Sequence, residues 1–212
     1  MPKNKPWNQS SSGRKAPGTQ NLRRVLILCE DTKSSCLYFK GFPVDEQRAL
    51  VLPVGTGRNT DGLVEEAIRL KEQASSEHQP WNEVWCVFDR DSFPIEHYNR
   101  AFQIAPQNGI KVAWSNEAFE LWYLLHFNYH DSGISRNDYT IKLRPYFNYD
   151  KADREIYAKL TAHQENALRN ARRLEKHWNE MGERHPARHN PSTGVHKLVE
   201  FLNELCELGT SD

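Results

Sequence analysis

The chain has 212 residues, of which 38% are hydrophobic and 26% charged, as is typical of a globular protein with one domain of ordinary size. No apolar run approaches the roughly 18 residues that span a bilayer, and the first residues lack the hydrophobic stretch of a signal peptide. The four cysteines show no C-x-x-C pair and no zinc-ligand spacing. We therefore exclude a membrane protein and a secreted disulfide scaffold, and expect a cytoplasmic protein with reduced thiols.

Charge is distributed unevenly along the chain. The formal net charge is zero, but residues 1–29 hold six basic residues and no acidic one. Residues 1–20 are rich in Ser, Gly, Pro, Asn and Lys, and such a segment buries too little apolar surface to offset its ordering entropy. We predict that residues 1–20 are a disordered basic tail, which either contacts nucleic acid or is simply solvated.

Strand-like and helix-like segments alternate from residue 21 to residue 127. The apolar run VLILC at 25–29 is typical of a strand that is buried on both faces. Strands are predicted at 25–29, 48–54, 83–88 and 110–114, and helices around 37–40, 61–74, 96–104 and 117–127. This alternation predicts an α/β fold, with a parallel sheet flanked by helices, over residues 21–127.

The pattern changes after residue 127. Residues 128–150 are polar, tyrosine-rich and typical of a loop, whereas three helical segments are predicted at 151–160, 164–181 and 193–208. We predict that residues 128–212 form a helical annex that completes the same domain.

Acidic residues follow the first and third predicted strands. Glu30 and Asp31 come after the first strand, and Asp89 and Asp91 after the third. Ligands of open parallel sheets bind at the carboxyl ends of the strands, and residues i and i+2 of an extended chain point the same way. If the two strands are neighbours, Glu30, Asp89 and Asp91 meet there. Carboxylate oxygens without His or Cys favour Mg²⁺ or Mn²⁺ over zinc, and helix capping by these acids is the alternative.

An apolar strand followed by Glu, and later an apolar strand followed by D-x-D, resembles the Toprim domain of topoisomerases, primases and OLD-type nucleases. The chain more closely resembles the RloB/AbiLii family of prokaryotic, defence-associated Toprim-like proteins. The similar stretches are VLILCEDTKSSCLYF at 25–39, VWCVFDRDSF at 84–93, SNEAFELWYLLHF at 115–127 and NPSTGVHKLVEFL at 190–202. The sequence departs from the family at Asp31 (usually Gly), at Ser34-Ser35 (usually Thr-Glu) and at Glu117 (usually Pro).

The resemblance implies a magnesium-dependent nuclease that cleaves RNA such as tRNA, or DNA, as a toxin-like effector in anti-phage defence. It also implies an ABC- or AAA-type ATPase as a partner. Glu30, Asp89 and Asp91 would be the catalytic metal ligands, with Glu30 also a candidate general base, and Asp31 and Lys33 would support them. The departures favour an alternative, a non-catalytic Toprim-like module that binds an ATPase partner and nucleic acid. A response-regulator receiver fits the acids loosely but does not explain the segment FELWYLLHF.

Glu120 lies on a predicted helix that is apolar almost all round. A buried carboxylate must be paired, hydrogen-bonded or metal-bound. We expect Glu120 to face the sheet edge and to support the metal site, and a solvent-facing Glu120 is the alternative.

The turn from Gly55 to Thr60 opens the helix at 61–74 and lacks the Walker A spacing. A plain strand-to-helix turn capped by Thr60 explains it. The alternative is a phosphate anchor in which Arg58 assists.

The predicted helix at 164–181 is strongly amphipathic. An apolar stripe should dock on the rest of the fold and leave four bases facing solvent. The stripe contains Leu168, Ala171, Leu174, Trp178 and Met181, and the bases are Arg169, Arg172, Arg173 and Lys176. These bases are a solvated face, a track for a phosphate backbone, or a docking face for acidic residues of an ATPase partner.

Overall fold

The structure, a computed structural model, describes residues 22–90, 94–183 and 185–207. The predicted tail at 1–20 lies outside the described residues. The strands are β1 (Arg23–Cys29), β2 (Ala49–Gly55), β3 (Glu83–Asp89), β4 (Lys111–Asn116) and β5 (Ser192–Thr193). The helices are α1 (Ser34–Lys40), α2 (Thr60–Ser76), α3 (Ile95–Gln107), α4 (Glu120–Leu125), α5 (Arg136–Leu143), α6 (Ile156–Leu160), α7 (Gln164–Met181) and α8 (Val195–Glu207).

The five strands form one sheet in the order β2-β1-β3-β4-β5. Strands β1 to β4 are parallel, as predicted, and β5 pairs antiparallel with β4. Because β1 lies between β2 and β3, its residues 25–29 are fully buried, which explains their unbroken apolar run. The pairing of Cys29 with Val87 brings the carboxyl ends of β1 and β3 together.

Helices cover both faces of the sheet. Alternate residues of β1 supply the two faces, with Ile27 in one core and Leu28 in the other. The larger core packs the sheet against α1, α4 and the C-terminal helices, and the smaller core packs it against α2 and α3. Within the described ranges, no helix is both long enough and apolar enough to cross a membrane.

Two elements of the C-terminal part were not predicted. Helix α5 lies inside the segment 128–150 that was predicted to be a loop, where Tyr139 and Leu143 are its two buried residues. Two buried positions are too few to produce a helical period in the sequence. Strand β5 has only two residues and depends on pairing with β4, so its strand character is not local.

Several predicted boundaries were also wrong. Helix α6 begins at Ile156 and not at residue 151, α4 is confined to Glu120–Leu125, and α8 begins after β5. Thr60 is the first residue of α2, and Asn59 occupies the N-cap position. The Thr60 cap is therefore a wrong prediction.

Helix α7 has the predicted bounds and packs through most of its predicted stripe. Leu168, Ala171 and Leu174 are buried, and Trp178 packs against the larger core. Met181 was predicted to dock but is 67% exposed. It is the last residue of the helix, just before the left-handed Gly182, and so it extends past the packed surface.

Candidate functional site

The carboxyl ends of β1 and β3 border a pocket of about 220 Å³, here called the strand-end pocket. Three acidic and three basic side chains line it together with smaller groups. The acids are Glu30, Asp31 and Asp89, and the bases are Arg58, Arg136 and Lys151. The pocket therefore combines charges that repel one another with charges that offset them.

Glu30 and Asp89 meet at this edge, as the order of the strands predicted. The backbone N–H of Asp89 donates to Glu30 Oε2 at 3.1 Å, and the Glu30 N–H donates to the carbonyl of Val87 at 2.9 Å. The bond to Val87 continues the β1–β3 backbone ladder, and the bond from Asp89 fixes the Glu30 side chain beside Asp89. Asp91, the third predicted ligand, lies outside the described residues.

Asp89 occupies an unfavourable electrostatic environment for a carboxylate. Its side chain is 16% exposed, and Arg136 Nη2 donates to its Oδ2 at 3.1 Å. Burial raises the pKa of Asp89 well above its usual range, and the nearby Glu120, Glu30 and Asp31 raise it further, while Arg136 opposes them. A positive charge placed beside Asp89 would relieve this repulsion.

Arg136 was not recognised in the sequence, because its segment was predicted to be a loop. It is the first residue of α5, and its backbone N–H donates to Glu117 Oε2 at 3.0 Å. Glu117 Oε1 also accepts from Asn190 Nδ2 at 3.4 Å. Glu117, where the resembled family usually has Pro, thus helps to hold the helix that carries Arg136. The spacing of Ser135 and Asp138, whose side chains are 2.6 Å apart, is the sequence signal that could have predicted this helix start.

Asp31 organises the turn between β1 and α1. Its Oδ1 accepts from the Lys33 N–H at 3.1 Å and from Ser35 Oγ at 3.0 Å. Ser35, where the family usually has an acid, is therefore a buried donor to Asp31. Lys33 is the N-cap residue of α1, and its exposed side chain is not among the described groups that line the strand-end pocket.

Glu120 is buried, as predicted, with 7% of its surface exposed. Its Oε1 accepts hydrogen bonds from Ser34 Oγ at 3.1 Å and from the hydroxyl of Tyr149. Burial and the nearby Glu120 raise the pKa of Tyr149, so this hydroxyl keeps its proton and remains a donor. Glu120 is thus linked to α1 and to the annex, and its negative charge contributes to the raised pKa of Asp89.

Two further bases line the strand-end pocket. Arg58 follows Gly57, whose φ is +65° and whose N–H donates to the Glu30 carbonyl at 2.8 Å. Arg58 is exposed and lies 3.6 Å from Glu66. Lys151 comes from the annex, and no motif in the sequence singled it out.

The four bases of α7, here called the α7 basic strip, are exposed as predicted. They do not line the strand-end pocket in the part of the chain that the structure describes. Arg172 is 2.8 Å from Glu200, Lys176 is 3.7 Å from Glu180, and Arg173 lies over the ring of Tyr129 at 3.7 Å. Arg169 donates to Asn166 at 2.7 Å. Part of the strip's charge is therefore already compensated.

The donor set of the pocket fits a hard divalent cation. Among the described residues, no three His, Cys, Asp or Glu side chains form a cluster that could hold a metal ion. Mg²⁺, however, is commonly held by one or two carboxylates together with waters and substrate phosphates. Glu30 and Asp89 provide two such carboxylates, and the acids around Asp89 repel its negative charge, which a bound cation would offset.

A family model described as RloB-like protein matches residues 25–202. No curated protein and no solved structure matches the chain significantly. The match covers both the strand-end pocket and the annex that supplies Arg136 and Lys151.

Proposed function

We propose that this chain, which belongs to the RloB-like protein family, is a metal-dependent nuclease that hydrolyses phosphodiester bonds of RNA such as tRNA, or of DNA. The observation that carries the proposal is the meeting of Glu30 and Asp89 beside Arg136 at the carboxyl edge of a parallel sheet. The resemblance of the Glu and D-x-D segments to Toprim nucleases supports the same reaction. Acids for a cation, next to bases for phosphate, are the groups that this hydrolysis requires.

Glu30 and Asp89 would hold Mg²⁺ or Mn²⁺, with Asp91 as the third expected ligand. When bound, the cation would orient a water molecule, lower its pKa and neutralise charge on the scissile phosphate. Acidic groups lie close together there at low exposure, and a bound cation would neutralise their mutual repulsion.

The bases of the strand-end pocket would bind the substrate phosphate. Arg136 pairs with Asp89 in the structure, and its guanidinium can form two parallel hydrogen bonds to a phosphate. Arg58 and Lys151 line the same pocket and would offset repulsion between the acids and a polyanion. Glu30 is the candidate group to accept a proton from the attacking water.

We further propose that the nuclease is a toxin-like effector in anti-phage defence, controlled by an ABC- or AAA-type ATPase partner. This part rests on the resemblance to the RloB/AbiLii family. The α7 basic strip is the proposed contact for the nucleic acid or for acidic residues of the partner, because its four side chains are exposed on one helix.

The test compares cleavage by the wild type, by Asp89→Asn and by Asp153→Asn. Asp153 is a matched control because it forms an ion pair with Lys159 at 2.6 Å outside the pocket. Labelled tRNA and DNA are incubated with each protein in Mg²⁺, in Mn²⁺ or in a chelator, with and without the partner ATPase. We expect metal-dependent cleavage by the wild type and the control, and none by Asp89→Asn.

Equal cleavage by wild type and Asp89→Asn would contradict the proposed site. A wild type that remains as inert as Asp89→Asn when the partner is present would instead support the non-catalytic module.

A further inference from the structure

A second pocket lies beside β5, away from the groups proposed for catalysis. It has a volume of about 410 Å³ and is lined by residues of β4, β5 and the C-terminal part of α7, and by Gly182, Glu183, Pro186 and His189. We call it the β5 pocket. Its volume is in the range of pockets that take small organic ligands.

Two buried polar atoms at the β5 pocket have no hydrogen-bond partner among the described residues. They are Oγ of Ser192, whose residue is 5% exposed, and the indole Nε1 of Trp114. Both residues are among those that line the pocket. Buried polar groups are almost always hydrogen-bonded, so two unpaired groups at one cavity indicate a ligand that can accept and donate hydrogen bonds.

Three of the residues that line the β5 pocket are aromatic: Trp114, Trp178 and His189. Trp178 stacks on His189 with the rings 4.7 Å apart and nearly parallel, and Trp178 Nε1 donates to the carbonyl of Pro191 at 2.8 Å. Trp178 is therefore held rigidly, as a surface against which a flat ring can pack. Asn179 adds an amide, a group that can both donate to and accept from the edge of a base.

The charges at the β5 pocket are balanced. Glu175 accepts from Lys197 at 2.6 Å and lies 3.2 Å from His196, and Glu183 lies 3.6 Å from Arg188. Lys197 and Arg188 are both exposed. The interior of the β5 pocket thus suits an uncharged ring. Lys197 and Arg188 can contact the phosphates of a nucleic-acid strand outside the pocket.

The β5 pocket is on the same sheet as the proposed catalytic acids. Asp89 pairs with Ser115 on β4, and Ser115 pairs with Thr193 on β5. Two strand spacings therefore separate Asp89 from the pocket wall, a distance of about 10 Å. A few nucleotides of single strand span that distance.

We propose that the β5 pocket binds one unstacked nucleobase, packed against aromatic side chains and hydrogen-bonded to Ser192 and Trp114. The proposal rests on the proposed nuclease function for the statement that this base belongs to the substrate strand. It implies that the enzyme reads a base near the cleaved bond, in a strand that is single or locally opened.

The test uses nucleosides, which carry a base and no phosphate, and so it does not depend on the strand-end pocket. Adenosine, guanosine, cytidine and uridine are each titrated into the full ¹⁵N-labelled chain without metal, and the tryptophan indole N–H signals are followed by NMR. The Trp114 signal is assigned with Trp114→Phe. Inorganic phosphate is titrated as the control ligand.

We expect at least one nucleoside to shift the Trp114 signal saturably, and phosphate to leave it in place. Ser192→Ala should weaken that nucleoside by about two- to tenfold, the worth of one hydrogen bond. Trp85→Phe is the matched control variant, because Trp85 Nε1 is also buried without a partner in the described residues but packs near Phe201. It should bind as the wild type does.

The proposal is overturned if no nucleoside shifts the Trp114 signal, or if Ser192→Ala binds as tightly as the wild type. If the protein binds a nucleoside but cleaves no nucleic acid, the base-binding role of the β5 pocket is supported and the nuclease function is rejected. If it cleaves nucleic acid but binds no nucleoside, the base-binding role is rejected and the nuclease function stands.

Discussion

Two regions of the molecule bury an ionisable side chain, and they differ in the charges that surround it. In the strand-end pocket, Asp89 lies close to other acids and forms an ion pair with Arg136. At the end of α4, His126 is fully buried against Tyr38 and Trp122, and burial lowers the pKa of His126 to about 4.

The difference separates a site built for a ligand from a part of the core. Burial disfavours the charged form in both places, since it lowers the pKa of His126 and raises the pKa of Asp89. The strand-end pocket differs because further acids surround Asp89, and their mutual repulsion is unfavourable unless a cation or a basic group compensates it.

The largest effect is expected for Arg136, because it would meet the charge on the substrate phosphate. Arg136→Ala should slow single-turnover cleavage by about a hundredfold or more. Arg144→Ala is the control, since Arg144 is exposed at the other end of the same helix. Rates for Arg136→Ala within twofold of the control would show that Arg136 only pairs with Asp89.

His126 should make the protein sensitive to acid. A folded-state pKa below the usual 6.5 means that the unfolded chain binds the proton more readily. The contribution of His126 is therefore complete above pH 6.5 and is lost as the pH falls towards 4. Over that window the wild type should lose about 3 kcal/mol more free energy of unfolding than His126→Asn. Urea unfolding at pH 7 and pH 4 measures this, and parallel losses in both proteins would contradict it.

Divalent cations should stabilise the strand-end pocket. A hundredfold excess of Mg²⁺ or Mn²⁺ over the dissociation constant adds about 2.7 kcal/mol to the free energy of unfolding of a protein with one site. Thermal unfolding should show this gain in the wild type and in Asp153→Asn. An equal gain in the free energy of unfolding of Asp89→Asn would show that the cation binds at another site.

The smallest effect is expected for the α7 basic strip. Two of its bases face acidic side chains and a third covers Tyr129, so only part of the charge is available to a phosphate backbone. Replacing all four with Gln should weaken nucleic-acid binding by about tenfold and reduce its salt dependence. Fluorescence anisotropy at several salt concentrations measures both quantities. An unchanged affinity with an unchanged salt slope would leave the strip as a solvated helix face.

Much of the fold can be predicted from the sequence because it depends on local periodicity. The apolar run of β1 and the amphipathic stripe of α7 are long enough to predict a buried strand and a packed helix. The meeting of Glu30 with Asp89 follows once β1 and β3 are neighbours. The burial of Glu120 follows from the apolar helix around it.

The missed parts depend on contacts that are distant in the chain. Strand β5 exists through its pairing with β4, and α5 has only two buried residues. Arg136 is 47 residues from Asp89 in the sequence, and it reaches Asp89 from the start of α5, which bonds to Glu117. Lys151 and the β5 pocket are likewise assembled by tertiary packing, which no local pattern reports.

The central claim is that Glu30 and Asp89 jointly bind a divalent cation. The most direct measurement is a crystal of the full chain soaked in Mn²⁺, with anomalous scattering recorded to locate the ion. We predict one strong peak within about 2.6 Å of carboxylate oxygens of both residues, and its loss in Asp89→Asn. A peak elsewhere, or no peak at a Mn²⁺ concentration that supports cleavage, would contradict the claim.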